Sequence, residues 1–200
     1  MEDLVRIDPR SGKPTNFGAA FREICDFLGN MEIPHIFVGT LALNIYIRPR
    51  YTEEIQVICE YSAIGQLGNE LSRLAEQAGF GGSIRAEAPA NPAMANALAS
   101  TRPVELFDTT FHVPTALALC WLFLESDDLY SLVDAGSLLA AEALDGDLLQ
   151  PLLEHYASHA TLIRFGEAKR NVEQGRYSGT YNDSVRARLL RHQQKDADAN

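Results

Sequence analysis

Long apolar runs are missing from this sequence. The longest, Ala116–Leu124, has nine residues, about half of the ~18 that a membrane span needs. The first residues, MEDLVRIDPRSGKP, carry charges where a secretory leader needs an apolar segment, so no leader is expected. Cysteine is scarce too. Cys25, Cys59 and Cys120 are far apart, odd in number and set among apolar neighbours. That pattern excludes a disulfide framework and a zinc knuckle, and predicts buried thiols in a reducing cytoplasm. A Gly-x-Ser-x-Gly elbow, a phosphate-binding P-loop and a dinucleotide glycine fingerprint are all absent, which removes the commonest hydrolase, NTPase and dehydrogenase signatures. There are no repeats and no low-complexity blocks.

What is there is an ordinary globular composition, 46% hydrophobic and 22% charged over 200 residues, sufficient for one domain or a domain with an appendage. Basic charge is in deficit: the net charge is −10. An acidic surface repels a polyanion, so extensive nucleic-acid binding is not expected. The deficit is uneven. Residues 1–163 hold nine Lys+Arg against 22 Asp+Glu, a balance of −13, whereas residues 164–200 hold eight against five, a balance of +3. The last segment reads as a basic tail whose partners are solvent or the acidic body.

Pro9, Gly12 and Pro14 mark residues 1–15 as an extended arm. Asn16 can cap a helix with Phe17, Phe21, Ile24, Phe27 and Leu28 on its inner face. A short strand, His35–Val38, runs into Gly39-Thr40 and a short helix over 41–47, which Pro49 ends. A second strand is predicted over 54–61 and a helix over 63–78. Gly79, Gly81 and Gly82 then place Phe80 in a flexible turn. Residues 84–102 give no assignable pattern. Strands are predicted at 103–107 and 110–113, and from Pro114 the pattern is helical, with helices over 116–124, 127–142 and 147–160. The tail adds helical segments near 163–173 and 185–194. The expected parts are an arm (1–15), an α/β core (16–113), a helical portion packed on it (114–163) and a basic helical tail (164–200).

The chemically informative stretch is Ile36–Glu60. Glu54 and Gln56, two apart on a strand, share one face while Ile55 and Val57 take the other. A glycine ending the preceding strand lets a phosphate approach backbone N–H groups. Two acidic side chains beside it would make a Mg²⁺ platform for a triphosphate. Here one of the two is an amide.

The run IFVGTLALNIYIRPRYTEEIQVICE resembles the signature of the nucleotidyltransferase superfamily, in particular its AbiEii-like and minimal members. Their pattern is a hydrophobic strand, Gly-Gly or Gly-Ser, a short helix, Arg-x-Thr, and then Asp-hydrophobic-Asp on the next strand. Gly39 matches the first glycine, Thr40 replaces the second position, Arg50 and Thr52 match Arg-x-Thr, and Glu54 and Gln56 fall on the two aspartates. Glu105 is the best match for the third carboxylate, with Asp108 behind it. Asp134 in LVDAGSLL also resembles the family's helical part. The resemblance spans about residues 17–155, and only its first motif is specific.

The resemblance implies an α+β fold: a small nucleotidyltransferase-like mixed sheet with flanking helices, followed by a helical C-terminal portion. It implies Gly39, Thr40, Arg50 and Thr52 around a nucleoside triphosphate, Glu54, Gln56 and Glu105 as the catalytic set, and Mg²⁺ on Glu54 and Glu105 if the protein is active. The departures point to a degraded site. Gln56 cannot bridge two Mg²⁺ ions, glutamate for aspartate at 54 and 105 shifts the oxygens outward, and Cys120-Trp121 stands where many relatives carry a lysine. The expectation is a weakly active or inactive protein related to toxin–antitoxin transferases. The alternative is a non-catalytic interaction module that binds a protein partner or a second copy of itself.

Plainer explanations cover the other polar clusters. Glu125, Asp127 and Asp128 precede a helix, where acidic residues suit its dipole. His155 and His159 are spaced for one helix face, but Tyr156 stands where the zinc motif has glutamate. Tyr177 and Tyr181 near basic residues read as a helix connection.

Overall fold

The computed structural model describes residues 6–7, 14–47, 52, 54–141, 144 and 146–176. The expected basic helix over 185–194, the tyrosines at 177 and 181, and Arg48 and Arg50 lie outside the described residues. The chain forms two compact units: residues 1–41 with 51–114, and residues 42–50 with 115–200.

Unit 1 is α+β. Its first elements are β1 (Arg6–Ile7) and β2 (Pro14–Thr15), which pair antiparallel, so the expected extended arm folds back on itself. Helix α1 (Phe17–Asn30) starts where Asn16 Oδ1 accepts the Ala19 N–H at 3.1 Å, the predicted cap. Strand β3 (His35–Val38) follows. Helix α2 (Gly39–Tyr46) comes next, with its first three residues in unit 1 and the rest in unit 2. Then come β4 (Glu54–Cys59), α3 (Ile64–Gln77), β5 (Ser83–Glu87), α4 (Pro92–Ala99), β6 (Thr101–Leu106) and β7 (Thr109–Pro114). The stretch without a legible pattern therefore holds β5 and α4, the latter capped by Asn91 with Pro92 in its first turn.

Strands β3, β4 and β5 form a mixed sheet, β3–β4 antiparallel and β4–β5 parallel. Strands β6 and β7 form a hairpin whose β7 runs alongside β3. Cross-strand partners share a face, so Phe37, Val57 and Ala86 look one way and Val38, Gln56 and Arg85 the other. The first face packs on α1 and β7, and the second buries Ile36 and Ile58 beside its polar residues. Phe21 of α1 meets Phe37 at 4.7 Å and Phe111 of β7 at 4.8 Å between ring centroids, in tilted and edge-on geometries worth about 0.5–1.5 kcal/mol per pair beyond area burial. Phe80 stands edge-on to Phe17 and is only 3% exposed, so the glycine-flanked turn delivers an anchor to the core. Phe107 and Asp108 make the two-residue hairpin connection with φ of 54° and 59°, as a primed turn requires. Phe107 tolerates this left-handed backbone because its ring packs on Phe17 and against Gly18.

Unit 2 is helical: α5 (Ala116–Glu125), α6 (Leu129–Ala140), α7 (Gly146–Tyr156) and α8 (His159–Glu173), with α8 packed on α5 and α6. Helix α5 is buried nearly all round, as its continuous apolar run predicts. The expected boundary at 163/164 falls inside α8, because Phe165 and Ala168 belong to the same buried face as Thr161. Trp121, 1% exposed, donates its indole N–H to Glu125 Oε1 at 2.9 Å. Arg164 donates to the carbonyls of Leu124 and Asp128 at 3.1 and 2.9 Å, closing the α5–α6 corner. Among the described residues, no helix is long and apolar enough to cross a membrane.

Candidate functional site

The site is built on the outer face of the β3–β4–β5 sheet. Its first component is the joint between β3 and α2. Gly39 has φ +65°, a conformation L side chains rarely adopt, and a Cβ there would lie 2.5 Å from Gln56 Oε1. Glycine is needed on both counts: the turn from strand to helix is left-handed, and the space is already taken by a carboxamide. Thr40 follows in the first turn of α2 and is half-buried.

The second component is β4. Ile55 and Val57 are fully buried while Glu54 and Gln56 are half-buried on the opposite face, the predicted alternation. Gln56 Nε2 donates to Glu54 Oε2 at 2.5 Å. Thr52 closes the entry to the strand. Its hydroxyl accepts the Glu54 N–H at 3.2 Å and donates to the Glu54 carbonyl at 3.0 Å, so it fixes the backbone of the carboxylate residue.

The third component was not legible. Arg85 of β5 stands opposite Gln56, and its Nη2 lies 3.3 Å from Glu54 Oε1, with Nε 3.8 Å from Glu87 Oε1. The signal for it was the alternation Ser83-Ile84-Arg85-Ala86-Glu87 directly after a glycine break, a half-buried strand pattern. Both oxygens of Glu54 are therefore engaged, one by an amide and one by a guanidinium.

The structure brings Gly39, Thr52, Glu54 and Gln56 together, and it does not bring Glu105 to them. Glu105 is exposed on β6, opposite Thr110 of β7. Strand β6 belongs to a two-stranded sheet with β7, separate from the β3–β4–β5 sheet that carries Glu54 and Gln56. Asp108, the weaker candidate, is an exposed turn residue. Arg50 lies outside the described residues.

The Mg²⁺ implied by the family resemblance can be tested on the donor set. Mg²⁺ wants oxygen ligands in near-octahedral array, usually one or two carboxylates beside phosphate. Here the sheet face carries Glu54, with both oxygens taken and a guanidinium against it, and Glu87, which faces the same guanidinium from the far side. Among the described residues, no group of three His, Cys, Asp or Glu side chains is placed to hold a metal ion. The residues do not fit the ion.

The remaining candidates have structural roles. Asp128 caps α6: Oδ1 accepts the Ser131 N–H at 2.9 Å, and hydrogen bonds from the Ser126 hydroxyl and then the Ser131 hydroxyl hold its carboxyl down at about 2. His155 and His159 fall on different helices, because Ser158 accepts the Thr161 N–H and starts α8 between them. The three thiols are free and buried. Burial pushes Cys25 up to about 12 and Cys59 to about 11, which suits core packing and not nucleophilic attack.

No protein-family model matches the chain, and no curated protein matches it in sequence. Among solved structures it is similar to the solution structure of the antibiotic-resistance factor ANT(2'')-Ia, at 16% identity and a TM-score of 0.44, over 69% of this chain and 91% of that one.

Proposed function

We propose that unit 1 carries a degraded nucleotidyltransferase-like site that binds a nucleoside triphosphate weakly or without turnover. The observation that supports this reading is the convergence of a left-handed Gly39, at the strand-to-helix joint, with Glu54 and Gln56 on one face of the neighbouring antiparallel strand. That is the spatial form of the motif seen in the sequence. The phosphates sit over Gly39-Thr40, where backbone N–H groups open the first turn of α2. Transfer of a nucleotidyl group to RNA or protein, as in the toxin-type members the motif resembles, needs more carboxylate than Glu54 supplies. The free, buried thiols fit a reducing cytoplasm.

The test is titration with each of the four nucleoside triphosphates, read by heat and by the amide NMR signals of Gly39 and Thr40. Binding by at least one, with shifts concentrated at those amides and along β4, is expected. No binding by any of the four overturns the reading.

A second reading, a non-catalytic interaction module, has its own observation. Leu129 and Tyr130, adjacent at the start of α6, are 70% and 80% exposed. Exposed apolar residues side by side suit a protein partner or a second copy. A molar mass by light scattering that rises with concentration, and falls back in Leu129→Ser/Tyr130→Ser, supports it. A constant monomer mass argues against self-association.

A further inference from the structure

The mismatch between the site and Mg²⁺ has a specific form. The position beside Glu54 that a metal ion would neutralise is held by a side chain of the same sheet. Parallel pairing sets Arg85 directly opposite Gln56, one strand over and on the same face. Its Nη2 is 3.3 Å from one Glu54 oxygen, and the Gln56 amide is 2.5 Å from the other. An incoming hydrated cation has to displace both donors and then meet a fixed positive charge. Arginine cannot be deprotonated to relieve this.

We infer that the Arg85 guanidinium stands in for the divalent cation, so that the site takes a polyphosphate without Mg²⁺. This rests on the nucleotide reading above. The guanidinium is a planar fork of five N–H donors, which matches phosphate oxygens in pairs. Its side chain is 60% exposed, so it is open to a ligand while Glu54 holds it from the sheet side. The contact to Glu87, at 3.8 Å, is the looser of its two and yields first to a phosphate. Gln56 serves the same arrangement. A carboxylate there would add a third negative charge around one guanidinium that already faces Glu54 and Glu87, whereas the amide orients Glu54 toward Arg85 at no charge cost.

The test is calorimetric titration of the full chain with a nucleoside triphosphate, in excess Mg²⁺ and in EDTA, for wild type, Arg85→Gln and Arg85→Lys. A second arm titrates Mn²⁺ alone. Expected are equal affinities in Mg²⁺ and EDTA and a loss of about tenfold or more in Arg85→Gln, the scale of one charge-assisted phosphate contact. Arg85→Lys should retain part of the affinity, and wild type should show no Mn²⁺ binding at concentrations that load Gln56→Asp/Arg85→Ala. Triphosphate binding that requires Mg²⁺, or Mn²⁺ binding by wild type that Glu54→Gln removes, overturns the role of Arg85 and leaves the nucleotide reading intact. No triphosphate binding in either buffer overturns both.

Discussion

The two units spend their polar side chains differently. In unit 2 they finish the helices. Asp128 and Ser158 cap α6 and α8, Arg164 takes up the carbonyls of Leu124 and Asp128, and Glu125 receives the buried indole of Trp121. Each answers a backbone or ring group that burial or a helix end would otherwise leave unmet. In unit 1, Glu54, Gln56 and Arg85 answer chiefly one another and Glu87, on a sheet face whose reverse side packs against the aromatic core. The fold of unit 2 needs its polar set, and the fold of unit 1 does not need this one. Side chains that the fold can spare are the ones to suspect of function.

Four substitutions sharpen that contrast or break it. The largest effect is expected for Trp121→Ala, which empties a fully buried site in unit 2 and leaves Glu125 without its donor. A loss of about 3–5 kcal/mol should appear in denaturant unfolding. Next, Gly39→Ala should cost about 1–2 kcal/mol from its left-handed backbone alone. Part of any further cost should disappear in a Gln56→Ala background, since the Gln56 carboxamide is what the new Cβ meets. Additive effects would mean that the amide simply moves aside.

Asp128→Ala should cost about 1 kcal/mol as a lost cap. Because the folded carboxyl sits near 2, below its value in the unfolded chain, its contribution is complete above about pH 4 and fades as pH falls toward 2. Asp128→Asn keeps a cap oxygen but should flatten that part of the stability–pH curve. The smallest effect is expected at Arg85→Gln, whose exposed ion pair should change stability by less than about 0.5 kcal/mol. A loss above roughly twice that in unfolding experiments would make Arg85 a structural residue and erase the distinction between the units.

Legibility in the sequence followed the range of the forces involved. The Asn16 cap, the burial of Phe21, Ile24 and Leu28 along α1, the burial of α5 on nearly all sides and the shared face of Glu54 and Gln56 are local or periodic, and all stand in the structure. Arg85 was invisible because its role comes from pairing between β4 and β5, across a helix and a glycine-rich break. Glu105 falls on β6, in a sheet apart from β4, for the matching reason. A motif fixes residue types along the chain, but the order of strands decides which carboxylates meet. Phe80 went the same way: its flanking glycines describe a turn, and only the Phe17 ring shows that the turn is anchored. The helical pair of histidines failed on a single hydroxyl, the Ser158 cap.

The passage of the chain through α2 sets how this protein can be divided. Residues 42–50 cluster with 115–200, although they are made between two segments of unit 1. A single cut after Pro114 therefore yields two incomplete pieces. The first keeps Ala42, Leu43 and Tyr46, which are buried in the intact chain, without the helices they cluster with, and the second lacks that stretch. A ribosome that has released residue 114 has delivered every residue of unit 1 and only a stranded fragment of unit 2. Expression of the helical half alone should give an aggregating product unless residues 42–50 are grafted onto it.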